Sequence, residues 1–219
     1  MTETSASMKS IIIVAGYPES VIRFRKELIF ELQACGLQVH VAAPKSRGFS
    51  QVRKELEAIG VVMHPFNLNR TSLNPILDLF TFFKLFKLMR QIKPDMVLSY
   101  TIKPVIYGTL SAWLAGIPKR FALISGLGHV FQVESGNLLW VKSLVKITYF
   151  LALSKVSKVF FQNPDDMEQF YKFGILAEKD KKSVVLRGSG VNLNSYEVVP
   201  LPTYPKFLMI ARLLGGKGV

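Results

Sequence analysis

With 219 residues, nearly half of them hydrophobic, and a formal net charge of +13, the chain can bury a substantial core and attracts anionic partners such as nucleic acid, acidic lipid or phosphorylated substrates. A lone Cys35 excludes an internal disulfide, and no run of 18 uncharged apolar residues exists to cross a bilayer as a helix. The polar opening, residues 1–10, leads straight into IIIVAG, too brief for the apolar core of a signal peptide, so the expected compartment is the cytoplasm.

The first predicted element is a strand over residues 10–16, a continuous apolar run of the kind a parallel strand shows when covered on both sides. A helix follows over 21–34, with Ser20 as its expected N-cap and Gly36 just beyond its end. Next come a strand at 37–44, a helix closed by Gly60, and a strand at 61–66. A long helix from about Leu73 to Ile92 sets Lys84, Lys87, Arg90 and Lys93 among Phe and Leu. Strand PDMVLSY, helix PVIYGTLSAWLAG and strand KRFALISG continue the alternation. A second basic helix, from about Leu138 to Ser154, carries Lys142 and Lys146, with Lys155 and Lys158 just past its end. Strand KVFFQN, helix PDDMEQFYKFG and strand KSVVLRG complete the series.

Strand and helix alternating about seven times predict an α/β fold, a Rossmann-like doubly wound parallel sheet with helices on both faces. Residues 1–194 form the expected domain. The proline-rich stretch 195–206 reads as a linker, and 207–219, beginning FLMIARLL, as the first strand of another domain. Lysines among bulky apolar residues on helices fit either a membrane surface or buried helices with a solvated cationic edge.

Ligands of open parallel sheets bind beyond the carboxyl ends of the strands, which directs attention to the loops 16–20, 99–104, 125–131, 162–166 and 187–192. None carries G-x-G-x-x-G after the first strand or a Walker sequence, which argues against a dinucleotide-dependent oxidoreductase. Tyr100 and Lys103 lie in the second loop. In the third, Gly126 and Gly128 permit a tight turn and His129 offers proton transfer, though an ordinary turn with a surface histidine explains the same residues. Asp165 and Asp166 open a helix and are read as favouring its dipole. His40 and His64 are read as structural. Gly190 and Asn192 sit in RGSGVN, beside the linker. No metal-ligand cluster is evident.

The ordered stretches SLNP, SYTIKPVIYG, FALISGLGHVF, VFFQNPDD, GSGVN and FLMIARLLGGKGV resemble bacterial family-four retaining glycosyltransferases. These are two-domain GT-B enzymes, and the likeness is to the N-terminal half of those that extend polyprenyl-diphosphate-linked saccharides for capsule, O-antigen or other surface glycans. It spans nearly the whole chain. The resemblance implies an acceptor-side domain facing a donor-binding domain that would follow Val219. It implies that Arg212 and Lys217 grip the donor diphosphate, that Gly16 lies near the donor phosphates, and that Gly126, Gly128 and His129 line the acceptor side. Gly216 departs from the Asp usual before that Lys.

The reading is therefore a glycosyltransferase half, inactive alone, that uses a UDP-linked sugar as substrate and no cofactor or metal. Its expected partners are a lipid-linked saccharide and an anionic membrane surface at the inner face of the cell membrane, with no nucleic acid, since no binding motif accompanies the charge. The alternative is a non-catalytic acceptor-binding subunit that works with a separate donor-domain chain.

Overall fold

The structure, a computed structural model, describes residues 8–70, 72, 74–127, 131, 139–178 and 181–210. Seven strands form one parallel sheet: β1 (Ser10–Val14), β2 (Gln38–Pro44), β3 (Val62–Phe66), β4 (Met96–Tyr100), β5 (Lys119–Ile124), β6 (Lys158–Phe161) and β7 (Ser183–Val185). Their spatial order is β3-β2-β1-β4-β5-β6-β7. Central strands are covered on both faces, hence the unbroken apolar runs: Ile12, Ile13 and Val14 are fully buried.

Side-chain alternation divides the core. On one face Ile11, Ile13, Val39, Val41 and Leu98 meet α1 (Glu19–Ala34) and α2 (Phe49–Glu57) through Val21, Ile29, Val52 and Leu56. On the other, Ile12, Val14, Ala42 and Val97 meet α3 (Pro75–Ile92) and α4 (Thr109–Leu114) through Leu85, Met89 and Ala112. Farther along that second face, Ala122, Ile124, Val159 and Phe161 pack on α5 (Leu139–Ser154) and α6 (Pro164–Lys172) through Tyr149, Leu153 and Phe170. The doubly wound sheet predicted from the alternation is the one observed.

Local chemistry sets the helix boundaries. Asn74 Oδ1 accepts from the Ile76 amide at 2.9 Å and Asn163 Oδ1 from the Asp166 amide at 2.7 Å, each followed by a proline in the first turn, where no N–H is needed. Asp166 is buried and accepts from Asn163 Nδ2, so the paired aspartates serve the start of α6, as the sequence suggests. Ser20 is not an N-cap: α1 starts earlier, at Glu19 after Pro18, and the Ser20 hydroxyl is directed elsewhere. The helix predicted over 104–116 divides into a π-helical turn, Pro104–Gly108, and the short α4. Gly108 lets this segment press on β4, since a Cβ there would meet Ser99 Oγ at 2.6 Å. The strand expected from Phe207 is not formed over Phe207–Ile210, which lie exposed and unpaired.

Candidate functional site at the carboxyl edge of the sheet

The strand order reverses between β1 and β4, so the loops leaving these two strands diverge and open the crevice in which doubly wound sheets hold ligands. Gly16 stands at that point. A Cβ on it would meet Thr101 Oγ1 at 2.5 Å, and Thr101 itself holds a left-handed backbone, φ 67°, uncommon for a β-branched residue. Glycine is required here by the close approach of the opposite loop.

Tyr100, at the end of β4, is almost fully buried instead of facing the crevice. The Ser20 hydroxyl bonds the Tyr17 carbonyl oxygen and the Tyr100 hydroxyl, both at 2.7 Å, which ties the start of α1 to β4. Burial pushes the Tyr100 phenol up to about 12. The Arg25 guanidinium lies 4.8 Å from the Tyr100 ring centre, and Arg70 covers Tyr17 in the same manner at 4.4 Å.

Lys103 is engaged by a partner the sequence reading did not single out. Its ammonium pairs with Asp78 Oδ1 at 2.5 Å and donates to the Ser72 carbonyl oxygen at 2.7 Å, while the Tyr107 hydroxyl donates to Asp78 Oδ2 at 2.8 Å. Burial, and then the Asp78 carboxylate, hold the Tyr107 phenol well above its ordinary range. The first turn of α3 is thus pinned to the loop after β4.

Gly126 has φ +142° and open space where a Cβ would stand; Gly190, φ +76°, is likewise open. Asn192 is exposed and caps a short turn by accepting from the Asn194 amide at 3.1 Å. Gly128, His129, Arg212 and Lys217 lie outside the described residues. His40 Nδ1, on β2, and His64 Nε2, on the neighbouring edge strand β3, are 3.0 Å apart within the second sheet face, which fits a structural role. Among the described residues no group of three or more His, Cys, Asp or Glu is placed to hold a metal ion.

Two site features escaped the sequence reading. Arg25 is 4% exposed and is bonded to Ser189 in the loop after β7. Its signal was present, since Arg25 occupies the apolar stripe between Val21 and Ile29 at helical spacing. Asp78 similarly sits in the first turn of a helix otherwise rich in Phe and Leu.

Beside the crevice, α3, α4 and α5 present a broad apolar surface. Ile76, Phe80 and Phe83 of α3, Trp113 of α4, and Trp140 and Ile147 of α5 are all exposed, Phe80 at 63% and Trp140 at 60%. α4 lies between α3 and α5 and touches both. Lys84, Lys87 and Arg90 are exposed on α3, and Lys155 lies 4.8 Å from the Trp113 ring centre. No helix among the described residues is long and apolar enough to cross a membrane.

Residues 20–163, a span that contains the ends of β2 through β6, match the family model described as "Glycosyl transferase 4-like". The chain belongs to this family. A similar curated protein is N,N'-diacetylbacillosaminyl-diphospho-undecaprenol alpha-1,3-N-acetylgalactosaminyltransferase of Campylobacter jejuni, 28% identical over 214 residues, covering 91% of this chain and 55% of that protein. The chain therefore spans about half the length of this relative. Among solved structures, a glycosyltransferase from Rickettsia africae matches with a TM-score of 0.58 at 19% identity, over 86% of this chain and 45% of that one. A UDP-GlcNAc 2-epimerase from Neisseria meningitidis bound to UDP-GlcNAc matches with a TM-score of 0.56 at 16% identity, over 80% of this chain and 46% of that one. At these identities the two structures establish the Rossmann-like GT-B fold alone.

Proposed function

We propose that the chain forms the acceptor-side part of a glycosyltransferase that moves a sugar from a nucleotide donor, taken to be UDP-linked, onto a polyprenyl-diphosphate-linked saccharide during surface polysaccharide assembly. The observation that carries the reading is the apolar, cation-bearing surface of α3, α4 and α5 beside the carboxyl-edge crevice. Such a surface suits a bilayer interface: aromatic side chains enter the headgroup boundary, lysine stems lie along it, and ammonium groups meet lipid phosphate. Seated this way at the inner face of the membrane, the protein holds its crevice within reach of a lipid-linked acceptor. The named substrate of the Campylobacter relative, a diphospho-undecaprenol, supports that acceptor class.

Residues 195–206 act as the linker to a donor-side domain, to which residues 207–219 belong. Arg212 and Lys217 hold the donor diphosphate there and offset the charge that develops as it departs, with Gly16 facing the same ligand. Gly126, Gly128, His129 and Gly190 line the acceptor side. The exposed apolar stretch from Val198 to Ile210 also suits the alternative of a non-catalytic subunit completed by a separate donor-domain chain.

Vesicle co-sedimentation tests the membrane part. The chain should bind vesicles containing about one-third anionic phospholipid, and Phe80→Glu with Phe83→Glu should reduce the bound fraction at least tenfold at unchanged melting temperature. Equal sedimentation of wild type and variant would overturn the membrane assignment. A lipid-linked saccharide in those vesicles should be retained by the chain, whereas robust sugar transfer by residues 1–219 alone would refute the assignment to the acceptor side.

A further inference from the structure

Two hydrogen-bond donors from separate elements converge on one oxygen. Arg25 Nη1, from the second turn of α1, donates to Ser189 Oγ at 2.8 Å, and Gln162 Nε2, just after β6, donates to the same atom at 2.7 Å. A guanidinium and an amide aimed at a single oxygen form the donor set of an oxyanion site, here occupied by a serine hydroxyl.

The charge balance points the same way. Arg25 is 4% exposed, it pairs with no carboxylate among the described residues, and its Nε has no hydrogen-bond partner. Its remaining contacts are the Phe24 carbonyl oxygen at 2.8 Å and the Tyr100 ring. A buried cation without a counter-ion is unfavourable, and a neutral hydroxyl compensates it poorly. The serine, moreover, is displaceable. Ser189 is exposed and stands between Gly188, φ +86°, and Gly190, φ +76°, each with open space about the missing Cβ. A loop with glycines on both sides of its tip can swing without steric penalty.

We propose that Arg25 and Gln162 form a phosphate-oxygen subsite beyond the carboxyl ends of β6 and β7, with the Ser189 hydroxyl as a stand-in that the ligand displaces. The ligand class is a diphosphate or its ester. Ligand entry opens the 188–190 turn, and the incoming oxygen takes both donors while its charge neutralises the buried guanidinium. Phosphate recognition stands without the transferase reading; only the organic group on the diphosphate rests on it.

Calorimetric titration with inorganic pyrophosphate tests the subsite. Ser189→Ala, which removes the competing oxygen, should bind pyrophosphate about three- to tenfold more tightly than wild type. Gln162→Ala, at a half-buried position that tolerates truncation, should bind about threefold more weakly, and Arg25→Lys at least tenfold more weakly. Thermal melts of each variant separate lost folding from lost binding. Should Ser189→Ala and Gln162→Ala both bind like wild type, the proposal falls, whatever becomes of Arg25→Lys. Parallel titrations with UDP and with a polyprenyl diphosphate in micelles identify the ester: the true ligand class shows the Ser189→Ala gain, and its absence from both esters overturns the ester assignment. Failure of sugar transfer with this affinity pattern intact would refute the transferase reading and leave the subsite standing.

Discussion

At the scale of single residues the crevice is built by contacts that leave no room for a change. Gly16 owes its identity to Thr101 Oγ1, which a Cβ would approach to 2.5 Å, and Thr101 cannot easily withdraw because its own backbone is held at φ 67°. Gly16→Ala should therefore cost about 2 kcal/mol in urea denaturation. Thr101→Gly removes both the blocking oxygen and the left-handed strain, so the double variant should recover more than about 1 kcal/mol of that loss. Additive losses would show that the two loops do not contend for the same space. Gly16 entered as a candidate only through the family resemblance, since its close approach to Thr101 is a tertiary distance that no single loop displays. Tyr100 and Lys103 were legible only as members of a loop. The sequence shows that a tyrosine ends β4, but its burial depends on α1 bringing Ser20 and Arg25 over it, and the engagement of Lys103 depends on Asp78, 25 residues away.

At the scale of elements, the edge strand β3 is held to β2 partly by the stacked His40 and His64 rings, with Nδ1 and Nε2 at 3.0 Å. One ring nitrogen must donate and the other accept, so the contact requires at least one neutral ring. Burial first, and then the charges of His40 and Arg53, depress the His64 pKa from 6.5 to about 4, and burial lowers His40 as well. The unfolded chain takes up a proton on His64 near pH 6.5 that the native ring refuses until about pH 4. Stability contributed by neutral His64 is complete above pH 6.5 and declines as pH falls through that window. The expected loss is about 2 kcal/mol between pH 7 and pH 4.5, allowing for partial exposure, read from urea midpoints. His64→Phe should flatten the slope, and an unchanged slope would assign it elsewhere. These strands were legible as short, largely apolar segments of strand length set between helical stretches. The division of the helix after β4 was not legible, since the π-helical turn follows from how closely Gly108 meets Ser99, a tertiary distance.

At the scale of the whole molecule, two apolar surfaces compete for partners, and they differ in chemistry. The α3–α4–α5 surface combines aromatic side chains with lysine and arginine, whereas the stretch from Val198 to Ile210 exposes Leu201, Phe207, Leu208 and Ile210 with Lys206 as its only charge. A cation-bearing surface gains from anionic lipid and loses with salt, because ions screen contacts beyond about 8 Å at physiological strength. An exposed apolar segment with a single charge gains from another unpaired edge or apolar face and responds little to lipid charge. The two activities should therefore separate. Replacing Phe207, Leu208 and Ile210 by serine should reduce self-association in solution, measured by light scattering, and leave binding to anionic vesicles unchanged. Replacing Lys84, Lys87 and Arg90 by glutamine should do the reverse: vesicle binding falls several-fold and loses part of its salt dependence, while self-association persists. If both sets lowered both quantities equally, the chain would bind membranes as an aggregate through one nonspecific apolar face, and the assignment of α3, α4 and α5 as the membrane-facing side would be wrong.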